Sequence, residues 1–207
     1  MWEKITEPVI EKIANLKWKV NSVITKDEKD IIFDILKNNY CIILTRHNGN
    51  LTTYLIATAH LVLSKFKKFG YYSHALMNLE DEVKSPDDFR LVESTGDGVH
   101  YSTFEQVFDN QCSSVVLLKP KNLSLDEWNY VMDKAKQQVG KQYDTLFDLT
   151  SDKKLSCVEL VRVALQSYEN YNEDFKHFEE MIRKYKNLTP QMFYECKEFE
   201  IIYEARN

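Results

Sequence analysis

Apolar residues at Val9, Ile13, Leu16 and Val20 recur at helical spacing, with Pro8 where a first turn tolerates it, so an amphipathic helix is expected near the start of the chain. Thr25 followed by Glu28 has the pattern of a capping box and opens a second helix through Ile31, Ile32, Ile35 and Leu36, stopping at Asn38-Asn39. Residues 40–45 (YCIILT) then form a continuous apolar run that reads as a buried strand, followed by a turn at Asn48-Gly49-Asn50 and a helix to about Phe66. Residues 73–79 and 89–94 flank a polar turn at Ser85-Pro86-Asp87-Asp88 and are expected to pair as antiparallel strands. His74 starts the first of them and Glu93 ends the second.

Beyond these, Ser102 with Glu105 and Ser124 with Glu127 read as capping boxes on either side of a strand at 114–119 (SVVLLK), and Gly140 is expected to end the second helix. Residues 156–168 carry another helical stripe, Thr189-Pro190 starts a helix, and residues 199–203 form a last strand. Strands mixed with helices in no regular alternation favour an α+β fold, a small antiparallel sheet packed by helices.

Composition narrows the function classes. The 207 residues are 43% hydrophobic and 29% charged, which suits one globular domain able to bury its own core. A net charge of -5 offers no positive field for nucleic acid, and the basic run KFKK at 65–68 reads as a solvated helix end. The four cysteines at 41, 112, 157 and 196 have no CxxC spacing, which argues against structural zinc and for reduced thiols. The first residues lack the apolar stretch of a signal peptide, and the apolar run at 51–63 is too short to span a bilayer, so a cytoplasmic protein without a transmembrane segment is expected.

Cys157 is read as the second residue of its helix, where unpaired N–H groups and the helix dipole favour an anion. Such a site stabilises a thiolate and supplies donors to an oxyanion. The competing reading is a small core residue, since Leu160, Val161, Ala164 and Leu165 share its helical face. A nucleophilic cysteine needs a base, and the histidines are His47, His60, His74, His100 and His177. His60 and His177 sit in helices and His47 and His100 in apparent turns, whereas His74 starts an apolar strand. If the strands around the 85–88 turn pair, Glu93 meets His74 and sets its tautomer; otherwise each is an ordinary strand-end residue.

The order of Leu44-Thr45-Arg46, Tyr72-Ser73-His74-Ala75, Leu91-Val92-Glu93-Ser94, Tyr143-Asp144, Ser156-Cys157-Val158-Glu159-Leu160-Val161 and Thr189-Pro190 resembles the YiiX-like branch of the circularly permuted NlpC-type papain-like cysteine hydrolases, from about Tyr40 to the C-terminus. The resemblance implies a permuted papain-like fold with Cys157 as nucleophile, His74 as base, Glu93 as its orienting group and Tyr143 as a substrate or oxyanion contact. It implies no cofactor and no metal, and a substrate that is a cell-wall peptide, an isopeptide or an acyl amide or ester. Residues 1–38 have no counterpart in it and are set apart as a helical extension from a hydrolase domain at 39–207. The rival from another class is a catalytically silent interaction protein, such as a component of a phage particle or a wall-binding module.

Overall fold

A computed structural model describes residues 22–48, 51–63, 70–79, 85–145, 149 and 153–206. The helix expected over 8–20 and the basic run at 65–68 lie outside these residues. The described elements are α1 (Lys26–Leu36), β1 (Ile42–His47), α2 (Leu51–Leu63), β2 (His74–Leu79), a 3-10 turn (Pro86–Asp88), β3 (Arg90–Thr95), β4 (Gly98–Ser102) and α3 (Phe104–Val107). They continue with β5 (Cys112–Pro120), α4 (Leu125–Lys136), α5 (Cys157–Leu165), α6 (Tyr171–Asp174), α7 (Lys176–Tyr185), α8 (Pro190–Glu195) and β6 (Phe199–Arg206). The strands form one six-stranded sheet in the order β4-β3-β2-β1-β5-β6, every neighbour antiparallel. The α+β architecture read from the sequence is therefore the observed one.

Alternation along the strands explains why β1 and β5 read as unbroken apolar runs. Ile42, Leu44, Ala75, Met77, Val92, Val116 and Leu118 pack on one side with Trp128 of α4 and with Leu160, Val161 and Ala164 of α5. Ile43, Leu76, Leu91, Val115 and Leu117 pack on the other with Ile32 and Leu36 of α1 and with Phe89, Phe104 and Phe108. A sheet covered on both faces has no polar side to show.

α1 opens on the capping box expected from Thr25 and Glu28. Its far end is held by Asn78, fully buried in β2, whose amide donates to the carbonyls of Leu36 and Asn39 while its Oδ1 accepts from the Cys41 N–H at 2.5 Å. The segment from Ile24 to Leu36 is thus built into the second core.

Two expectations need correction. Ser102 does not cap a helix with Glu105: it ends β4, paired with Leu91, and the cap belongs one residue later to Thr103 with Gln106. Nor does Gly140 end α4, which stops at Lys136. β4 itself was not anticipated, although Thr95-Gly96-Asp97-Gly98 followed by alternating Val99 and Tyr101 carries the signal of a tight hairpin. No helix among the described residues is long and apolar enough to cross a membrane.

Gly98 links β4 to the segment that leads to α5. It has φ +94°, and a Cβ there would come within 2.4 Å of the Lys141 carbonyl, which accepts from the Val99 N–H at 2.8 Å. The Gln142 carbonyl in turn accepts from the N–H of Leu155, two residues before Cys157. Gly98→Ala is therefore expected to cost about 1–3 kcal/mol in urea unfolding. Gly96→Ala in the same hairpin, with open space at its Cβ, should cost less. Equal losses from both would contradict this account.

Candidate active site

Cys157 is the first residue of α5, one position nearer the helix start than expected, with Ser156 as N-cap in an extended conformation. The Glu159 carboxylate reaches back to accept from the N–H of Ser156 at 2.8 Å and also from the N–H of Leu149 at 3.2 Å. Intrahelical bonding begins with the Leu160 N–H on the Ser156 carbonyl, so the Cys157 N–H precedes it. Upstream, the Ser94 hydroxyl donates to the Leu155 carbonyl at 2.5 Å, which fixes the approach to the helix against β3.

His74 and Glu93 meet through sheet geometry. Met77 pairs with Val92, and continuing that register places Glu93 across from Leu76, one same-face step from His74. The contact is His74 Nε2 to Glu93 Oε2 at 2.6 Å, with 18% and 11% of the two side chains exposed. With Nε2 on the carboxylate, Nδ1 is the ring nitrogen left for the sulfur. Burial alone would lower the His74 pKa; hydrogen bonding and charge from Cys157, and then from Glu93, outweigh it and push the imidazole up to about 10.

Glu93 has further partners that sequence reasoning did not find. Ser102 donates its hydroxyl to Oε1, and His100, its cross-strand partner on β4, brings Nε2 within 3.6 Å of the same oxygen. Burial would raise this carboxyl; His74, Ser102 and His100 instead hold it down at about 2. His100 lies in a strand rather than a turn, and its Nδ1 donates to the Gly98 carbonyl at 2.9 Å.

Cys157, His74, Glu93 and Tyr143 line one cavity of about 450 Å³, together with His47, Ser73, Thr95 and Gln106 among others. Burial, followed by the negative charge of Cys157, Glu159 and Asp144, raises the Tyr143 phenol well above its ordinary range, so it stays a donor. His47 ends β1 and donates to the Val107 carbonyl at 3.0 Å, and burial lowers its pKa. His60 is buried within α2 with Nδ1 on the Thr189 hydroxyl at 2.9 Å. The described cysteines are all free thiols, and burial pushes both Cys41 and Cys112 up to about 12. Burial and then Glu198 raise Cys196 further still.

Among the described residues, the group with the composition and spacing to hold a metal ion is His177, Cys196 and Glu198, whose donor atoms lie within 4.8 Å of one another. It lies apart from the residues that line the Cys157 cavity.

Residues 42–203 match the family model described as a permuted papain-like amidase, YaeF/YiiX, C92 family. Among solved structures, YiiX of Escherichia coli O157:H7, described as a metalloprotein, superposes with a TM-score of 0.56 at 16% sequence identity, covering 82% of this chain and 98% of that one. No curated protein matches the chain.

The Glu93 network predicts a pH signature. A carboxyl held at about 2 in the fold, against an ordinary 4.5, contributes stability that is complete above 4.5 and is lost as pH falls through 2. The stability gap between wild type and Glu93→Gln in urea should therefore be widest near neutrality, up to about 3 kcal/mol, and close toward pH 2. A gap that is flat over this range would show that Glu93 is not held as a carboxylate.

Proposed function

The chain belongs to the permuted papain-like amidase family, and on that premise we propose that it hydrolyses an amide bond through a thioester on Cys157, with His74 as base and then acid and Glu93 orienting the imidazole. The observation that carries the assignment is the buried Glu93–His74 contact at 2.6 Å with Cys157 as the strongest influence raising the imidazole pKa. A carboxylate fixed on one ring nitrogen leaves the other free to serve the sulfur.

In this mechanism His74 takes the Cys157 proton, giving the thiolate and imidazolium that react. The sulfur attacks the carbonyl carbon, and the oxyanion accepts from the Cys157 N–H, with the neutral Tyr143 phenol as a second donor in the same cavity. Collapse breaks the C–N bond as His74 passes its proton to the leaving nitrogen. Water then attacks the thioester carbon and gives a proton to His74, the C–S bond breaks, and the acid leaves with the thiolate and imidazolium restored. Peptides, including cell-wall peptides and isopeptides, and N-acyl amines both present the bond this chemistry needs.

Iodoacetamide near pH 7.5, followed by peptide mass mapping, should label Cys157 before Cys41, Cys112 and Cys196, which burial holds as thiols. Cys157→Ala should abolish amide turnover, by about 10³-fold or more, with folding intact, and His74→Ala should slow it by roughly 10²- to 10⁴-fold. If Cys112 or Cys196 reacts first while Cys157 stays protected until unfolding, Cys157 is a core residue and the interaction-protein reading replaces this one.

A further inference from the structure

His177, Cys196 and Glu198 converge from three elements. His177 is the second residue of α7, Cys196 follows α8 as its C-cap, and Glu198 stands just before β6. Buried aromatic rings join these elements: Phe178 of α7 meets Phe193 of α8 and Phe199 of β6 with centroids 4.7 and 5.8 Å apart, and Phe193 meets Phe199 at 5.7 Å. The backbone fixes the turn that carries Cys196 and Glu198. The Phe199 N–H donates to the Cys196 carbonyl at 3.3 Å, and the Lys121 N–H donates to the Glu198 carbonyl at 3.0 Å. The His177 N–H donates to Glu198 Oε1 at 3.0 Å, which ties that carboxylate to the start of α7.

Three donor atoms are left facing one another. Cys196 Sγ lies 2.6 Å from Glu198 Oε2, and His177 Nδ1 lies 3.4 Å from the same oxygen. Nδ1 is shielded from water and has no hydrogen-bond partner among the described residues, which is a costly state for a ring nitrogen. Bonds of about 2.0–2.3 Å from one tetrahedral Zn²⁺ put nitrogen and oxygen about 3.3 Å apart, and sulfur and oxygen about 3.6 Å apart. The nitrogen–oxygen pair already stands at that spacing. The sulfur–oxygen pair must open by about 1 Å, which follows when the S–H···O bond gives way to two bonds on one cation.

We propose that His177 Nδ1, Cys196 Sγ and the Glu198 carboxylate bind one Zn²⁺ as a clamp between α7, α8 and β6. A thiolate, a carboxylate and a neutral imidazole suit zinc, whereas Mg²⁺ and Ca²⁺ take oxygen ligands. On binding, the Cys196 proton leaves to solvent, sulfur and oxygen each form a bond to the metal, and Nδ1 gains the partner it lacks. The His177 side chain is 39% exposed, so water has access to the fourth position. None of the three ligands lines the Cys157 cavity, so the ion holds the fold together and the proposal stands independently of the amidase reading. The absence of CxxC spacing does not bear on such a site, because its single cysteine is completed by a histidine and a glutamate from other elements.

The test uses the full chain carrying Cys157→Ala, so that the Cys157 thiol cannot supply a ligand. After stripping with EDTA, the protein is titrated with Zn²⁺ against a chromophoric chelator, and separately with Co²⁺ as a spectroscopic probe. Zinc should bind with a Kd of about 1 μM or tighter. Cobalt should give a near-ultraviolet thiolate-to-metal band that Cys196→Ser removes. Zinc at about 100 times Kd should raise Tm by about 5–10 °C. His177→Ala keeps the backbone bond to Glu198 and changes a partly exposed ring, so it should fold, bind zinc about tenfold or more weakly, and lose most of the Tm rise. No saturable binding, binding without the thiolate band, or a Tm rise that His177→Ala leaves unchanged would each overturn the proposal.

Discussion

The buried carboxylate of Glu93 is the constraint on which the site's geometry depends. A charge taken out of water is retained only where partners replace the water, and the partners here come from the strands on either side: His74 from β2, Ser102 and His100 from β4. Satisfying Glu93 therefore fixes the registers on both sides of β3 at once. It also holds the His74 ring in one orientation, with Nε2 committed to the carboxylate and Nδ1 left over. Loss of either flanking strand would leave the carboxylate with only the partners of the other.

The sulfur is placed by a second, separate device. The body of α5 packs into the core on one face of the sheet, whereas the parity of β2 and β3 puts His74 and Glu93 with the residues of the other face. The two meet because Cys157 is at the tip of its helix, beside the end of the sheet where β2 begins. The anchoring of that tip is local: Ser94 holds Leu155, Gln142 holds Leu155 from the other side, and Glu159 folds back on Ser156. Cys157 is itself buried at the edge of the core that holds Leu160, Val161 and Ala164, and it also lines the cavity that His74 and Glu93 border.

Much of this was legible in the sequence because its signals are local. The apolar runs of β1 and β5, the Thr25 and Ser124 capping boxes, and the Thr189-Pro190 start of α8 each state their structure within a few residues. The pairing of His74 with Glu93 was also accessible, since a single polar turn separates their strands. Ser102 and His100 were not, because the serine-x-x-glutamate pattern at 102–105 mimics a cap and hid the strand in which both residues point at Glu93. The real cap, Thr103 with Gln106, differs by one residue, and that shift decides whether Ser102 serves a helix or a carboxylate. Nor was the apolar pocket of about 230 Å³ on the other side of Cys157 visible, because its walls come from α2, α5 and the approach to α8, which no periodicity links.

That last assembly bears on why His60 is buried inside an apolar helix. Its Nδ1 bonds the hydroxyl of Thr189, the residue that caps α8, and a Cβ on Gly70 would lie only 2.9 Å from the His60 Cβ. α2 is thereby held against both the return of the chain into β2 and the start of α8. Leu55, Ile56 and Ala59 lie on the same helix as His60, so the bond that fixes the histidine also fixes the roof over Cys157. A histidine outside the Cys157 cavity thus anchors the helix whose Ile56 lines it.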